Sequence, residues 1–103
     1  MTNYKMIVVT VGRDIGPDVV DYAREVGGQG ATILHGHGAG SAEISKVFNL
    51  QIEPEKEVVL MVVDADITDK ICQHLTAKLV LDEVGKGYLF TIDVNQTSGI
   101  YQA

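Results

Sequence analysis

Two runs, Met6-Ile7-Val8-Val9-Thr10-Val11 and Val58-Val59-Leu60-Met61-Val62-Val63, are β-branched and almost continuously apolar. Such runs predict strands covered on both faces and therefore central in their sheet. Tyr88, Phe90, Ile92 and Val94 instead alternate with Leu89, Thr91 and Asp93, which predicts a strand with two unlike faces. Ala31 to His35 predicts one more short strand. Pro17, tolerated in a first helical turn, precedes Val19, Val20, Tyr22, Ala23 and Val26 at helical spacing, and Gly27-Gly28 ends that helix. Ile67, Ile71, Leu75 and Leu79 recur every four residues with Cys72 on the same face, and Asp66 followed by Asp69 predicts an N-cap with an acidic third residue.

The predicted order is β-α-β-β-α-β, the α+β ferredoxin-like arrangement in which two helices cover one face of a four-stranded antiparallel sheet. The right-handed crossover rule leaves few alternatives and makes strands one and three central. The face away from the helices then carries enough apolar positions to be a large exposed patch in a monomer, so a homo-oligomer with packed sheets is expected. Residues 36 to 53 hold glycines, a short Ile44/Val47/Phe48 cluster and few strong signals, and read as a long loop with at most one helical turn. Connections of that length in a compact domain are usually functional or disordered.

Composition narrows the classes. With 103 residues the chain has room for one domain, residues 1–103. Eight Lys plus Arg against fourteen Asp plus Glu give a formal charge of -6, which repels polyanions and argues against nucleic acid as a partner. The single cysteine, Cys72, can form no internal disulfide and lies on an apolar stripe, so it reads as a core residue. The N-terminus enters a strand directly without a cleavable signal, and no apolar run approaches the ~18 residues that span a bilayer. A cytoplasmic protein with no membrane insertion is expected.

Candidate chemistry centres on two glycine turns, Gly36-His37-Gly38 (continuing to Gly40) and Gly85-Lys86-Gly87. Alternate glycines let a backbone approach a phosphate or a neighbouring subunit closely, but they also mark tight turns. Neither turn has the context of a Walker or dinucleotide fingerprint. His35 and His37, two apart on a strand, can point to one side and suit zinc or copper in a trimer, yet no third ligand is near in sequence, and by default they are loop or interface residues. Glu53, Glu55, Glu57, Asp64, Asp66 and Asp69 flank strand and helix ends, where solvated charge and capping account for them. No Ser/His/Asp or Cys/His set is present, so no catalytic residue and no enzyme activity are assigned.

With this order and these turns, nearly the whole chain resembles the P-II (nitrogen regulatory) signal-transduction proteins, compact trimers of ferredoxin-like subunits. Gly36-His37-Gly38 resembles the turn that ends the family's second strand, residues 37–53 resemble a shortened T-loop, and Gly85-Lys86-Gly87-Tyr88 resembles the B-loop before the fourth strand. The resemblance implies a homotrimer that binds ATP, ADP or AMP in clefts between subunits, without a permanent cofactor, and regulates a transporter or enzyme through its long loop. It places Ile7, Gly36, His37, Gly38, Lys56, Val62, Gly85, Lys86, Gly87 and Tyr88 at that cleft. The chain departs from the family pattern where a tyrosine, Tyr88, replaces the B-loop lysine, where Lys86 carries the positive charge two places earlier, and where residues 95–103 contain neither Arg nor Lys. Each missing charge-assisted hydrogen bond removes about 1–3 kcal/mol, so weaker ATP binding than the family norm is expected. The element order is also similar to that of ACT regulatory modules and of the divalent-cation-tolerance trimers, the latter a metal-binding alternative through His35 and His37.

Overall fold

The computed structural model describes residues 3–38 and 55–100. The loop expected over 37–53, with its Ile44/Val47/Phe48 cluster, therefore lies outside the described residues except for His37 and Gly38. The elements follow the expected order: β1 (Tyr4–Gly12), α1 (Gly16–Arg24), β2 (Thr32–His37), β3 (Glu55–Asp64), α2 (Ala65–Lys78) and β4 (Tyr88–Val94). They form one antiparallel sheet with strand order β2-β3-β1-β4. The two runs read as central, in β1 and β3, are the central pair, with Ile7 opposite Met61 and Val9 opposite Val59.

Alternation then decides which side chains meet the helices. Ile7, Val9, Val11, Val59, Met61 and Val63 pack with Val19 and Ala23 of α1 and with Ile71, Leu75 and Leu79 of the α2 face. This core lies on one side of the sheet, and Leu89 of β4 and Ile33 of β2 extend it to both edges. Cys72 is half-buried beside it, and burial, with Asp69 nearby, pushes its thiol above the ordinary value. A protonated, packed thiol is a poor nucleophile.

The other side is only partly covered among the described residues, although Val8 at its centre is buried. Leu34, Tyr88, Phe90 and Ile92 are each roughly half exposed, and the Tyr88 and Phe90 rings stack at 6.4 Å between centroids. Met6, Leu60, Val62, Gly99 and Ile100, together with 29–32, line a broad depression of about 600 Å³ on this face.

Three local expectations are corrected. β2 does not stop at His35 but continues through Gly36 to His37, because Gly36 and His37 pair with Lys56 and Glu55 of β3. The N-cap of α2 is Asp64, not Asp66, since β3 runs into the helix without an intervening turn; its side chain makes no capping bond, and its carbonyl accepts from the Thr68 hydroxyl at 2.9 Å. Asp66 instead sits in the first turn, where a carboxylate is favoured by the helix dipole. The third correction, at Glu57, belongs to the site.

Both helices end in a Schellman-type closure. In the first, the Gly28 amide donates to the Ala23 carbonyl and the Gly27 amide to that of Arg24, with Gly27 at φ 105°. In the second, Leu81 donates to Thr76 and Val80 to Ala77, but the left-handed position is held by Val80 at φ 54°. A β-branched residue is disfavoured there.

Candidate functional site

At the end of the sheet where β1 and β2 finish and β3 begins, Gly36, Lys56 and Gly12 lie side by side across three strands. Lys56 is the only one of the three with a side chain, and its aliphatic stem fills the space beside Gly38, where an added Cβ would come within 2.9 Å of Lys56 Cγ. Gly38 is therefore small to let the lysine stem pass. At Gly36 an added Cβ would meet no described atom within 4 Å. Lys56 makes no ion pair with another described residue.

A cleft of about 210 Å³ opens here, lined by Arg13, His35, Gly36, His37, Glu55, Lys56 and Glu57. Strand alternation sends Glu55, Glu57, His35 and His37 to the helix side and Lys56 to the other. Of the two roles read for these carboxylates, solvated charge and capping, Glu57 corrects the first and takes the second, though at a helix start far from it in sequence: it is only 4% exposed. The N-cap of α1, Ile15, has no capping side chain of its own, and Glu57 reaches across from β3 to supply the cap. Its Oε2 accepts from the Asp14 amide at 2.8 Å and its Oε1 from the Gly16 amide at 2.7 Å, satisfying one donor that the helix start leaves orphaned and one in the turn before it. A Cβ on Gly16 would strike Oε1, so the glycine and the glutamate require each other.

These amide bonds, the Asp14 bond first, hold the Glu57 carboxyl below its ordinary value despite the opposing effect of burial, with smaller contributions from the Gly16 amide, His35 and Arg13. His35 Nδ1 stands 3.7 Å from Glu57 Oε2. Arg13, on the turn that Glu57 secures, places its Nε 3.1 Å from Glu55 Oε2 and 3.7 Å from Asp14 Oδ2. The two histidines do share one side of β2. Among the described residues, however, no group of three or more His, Cys, Asp or Glu is arranged to hold a metal ion.

The second glycine turn occupies the opposite edge. Gly85 and Gly87 have φ values of 85° and 124°, and a Cβ on Gly87 would run into the Thr10 carbonyl oxygen of β1. Tyr88 pairs with Thr10, so this turn is at the same end of the sheet as Gly36 and Lys56. Within one chain the two turns are three strand spacings apart, about 14 Å. Of the remaining cleft candidates, Val62 lies on the open face beside Met6, and the Ile7 side chain is wholly buried in the core.

Arg13 and the buried role of Glu57 were not singled out from the sequence. A signal for Glu57 was present, since the two-residue period that buries Val59, Met61 and Val63 reaches it when extended backward. Arg13 carries no local signal.

Solved structures with this fold include a PII protein of Arabidopsis thaliana bound to citrate, 17% identical, covering 90% of this chain and 78% of that one with a TM-score of 0.70. They also include a GlnK–ATP complex of B. subtilis, 17% identical, covering 95% and 89% of the two chains with a TM-score of 0.72. No curated protein sequence matches. The family model described as nitrogen regulatory protein P-II matches residues 4–103, nearly the entire chain, in keeping with the strand order and the two glycine turns. The chain belongs to the P-II family of nitrogen regulatory proteins.

Proposed function

We propose that this chain is a non-enzymatic, cytoplasmic signalling protein, a single P-II domain that works as a homotrimer and binds an adenine nucleotide between subunits. The observation that carries the reading is the placement of the two glycine turns: same end of the sheet, opposite edges, about 14 Å apart. One chain offers half a cleft at each edge, and a neighbouring copy would complete it. The incompletely covered apolar side, with Leu34, Phe90 and Ile92 half exposed, supports the same assembly. The ATP named for the B. subtilis relative supports the nucleotide class. In this reading Gly36, His37, Gly38 and Lys56 of one subunit face Gly85, Lys86, Gly87 and Tyr88 of the next. The segment between β2 and β3 would carry the signal to a transporter or enzyme.

Light scattering on the eluted protein gives the mass directly, and a trimer is expected. Calorimetry of the same sample with ATP, ADP and AMP is expected to give saturable binding, weakened for ATP by the absence of basic residues over 95–103. A monomer with no heat at millimolar nucleotide would sink the reading.

A further inference from the structure

The geometry points to Arg13 as an anion-binding residue of the cleft at Lys56, with the oxyanion of a small ligand, carboxylate or phosphate, displacing Glu55 from its guanidinium. The inference rests on the reading of this end of the sheet as a ligand site, and adds a residue and a ligand chemistry to it. Arg13 is held from both sides: Gly12 is fixed in the ladder against Lys56, and the Asp14 and Gly16 amides are fixed by Glu57. Its guanidinium is nevertheless only loosely engaged. The contacts to Glu55 at 3.1 Å and to Asp14 at 3.7 Å join side chains that are all more than half exposed, and exposed pairs of this kind exchange partners at little cost.

The other carboxylate of the cleft does not compete, because Glu57 is buried and spends both oxygens on backbone amides. Arg13 therefore presents a planar fork suited to an oxyanion, with Lys56 also among the residues that line the cleft. The space of about 210 Å³ falls short of the roughly 300 Å³ at which pockets begin to enclose a drug-sized molecule. It suits the anionic end of a metabolite or a small polycarboxylate.

The test is calorimetry with orthophosphate, citrate and ATP on the full chain, as wild type, Arg13→Gln, Glu55→Gln and the double variant. Both side chains are exposed, and unchanged thermal melts verify that the fold is kept. Citrate or orthophosphate should bind the wild type, the one that binds identifying carboxylate or phosphate as the preferred class. Arg13→Gln should weaken that binding about tenfold. Glu55→Gln should tighten it up to about fivefold, and the gain should vanish in the double variant. An unchanged affinity in Arg13→Gln, or a Glu55→Gln gain that survives without Arg13, overturns the inference. ATP binding insensitive to Arg13, with neither small anion bound, overturns it and leaves the nucleotide reading standing. Arg13-dependent anion binding without ATP binding supports it and removes the nucleotide, and no binding by any probe overturns both.

Discussion

The turn over 85–87 and the end of β2 over 36–38 are both glycine-rich, and they stand on opposite edges of the same end of the sheet. The first is explained by the chain itself. Gly87 has φ 124°, and its missing Cβ is the room that lets the turn lie against the Thr10 carbonyl. The second divides: Gly38 makes way for the Lys56 stem, whereas Gly36 lies in an ordinary strand and faces no described atom within 4 Å. A glycine that the fold requires leaves its reason in the contacts around it. Gly36 leaves none among the described residues, which fits the proposed approach of a ligand or neighbouring subunit to its bare backbone.

This contrast can be broken by substitution. Gly87→Ala combines a left-handed backbone with a collision against a carbonyl, and should cost about 3 kcal/mol or more in denaturant unfolding. Glu57→Ala strands one buried and one part-buried amide and should cost about 3 kcal/mol, a measure of how far the cleft at the β2 edge depends on its own scaffold. The folded-state pKa of Glu57 is depressed, so its contribution is fully present above the ordinary value of 4.5 and is lost as the pH falls through the lower folded value. Melts from pH 7 downward should therefore show the gap between wild type and Glu57→Ala closing only on the acid side of 4.5.

Val80→Gly isolates the conformational part of the Gly87 effect, since Val80 is left-handed at φ 54° without needing to be a glycine for space; a gain of about 1 kcal/mol is expected. If Gly87→Ala cost no more than that, the collision with Thr10 would count for nothing. Gly38→Ala should cost about 0.5–1 kcal/mol as the Lys56 stem is pushed aside, within the ordinary range for surface repacking. Gly36→Ala should change stability by less than about 0.5 kcal/mol while abolishing nucleotide binding in calorimetry. A Gly36→Ala variant as unstable as Gly87→Ala would erase the distinction.

The architecture was legible because its signals are periodic. Runs of β-branched residues mark β1 and β3, four-residue spacing marks α2, and alternation marks β4, including the side on which Tyr88, Phe90 and Ile92 lie. What escaped depends on partners distant in sequence. Gly36 reads as a break in isolation, but its ladder bonds to β3 keep it in the strand. Glu57 carries a charge at a strand end and so reads as solvated, although its partners are amides 41 and 43 residues earlier. Alternation and charge gave opposite answers there, and the hydrogen bonds to the two amides decided. Arg13 enters the cleft only because that same carboxylate fixes its turn.

The sheet order has a consequence for how the molecule is made. β1 is the first strand of this sheet to leave the ribosome, yet both of its neighbours, β3 and β4, come from residues 55–94. Ile7, Val8, Val9 and Val11 thus keep one hydrogen-bonding edge open until β3 is made and the other until β4 follows. Long-range pairing of this kind folds slowly, and a bare, β-branched strand is the segment most prone to pair with another unfinished chain. Truncation before Tyr88 should yield aggregated and not merely unfolded protein, with β1 as the segment protected in the aggregate.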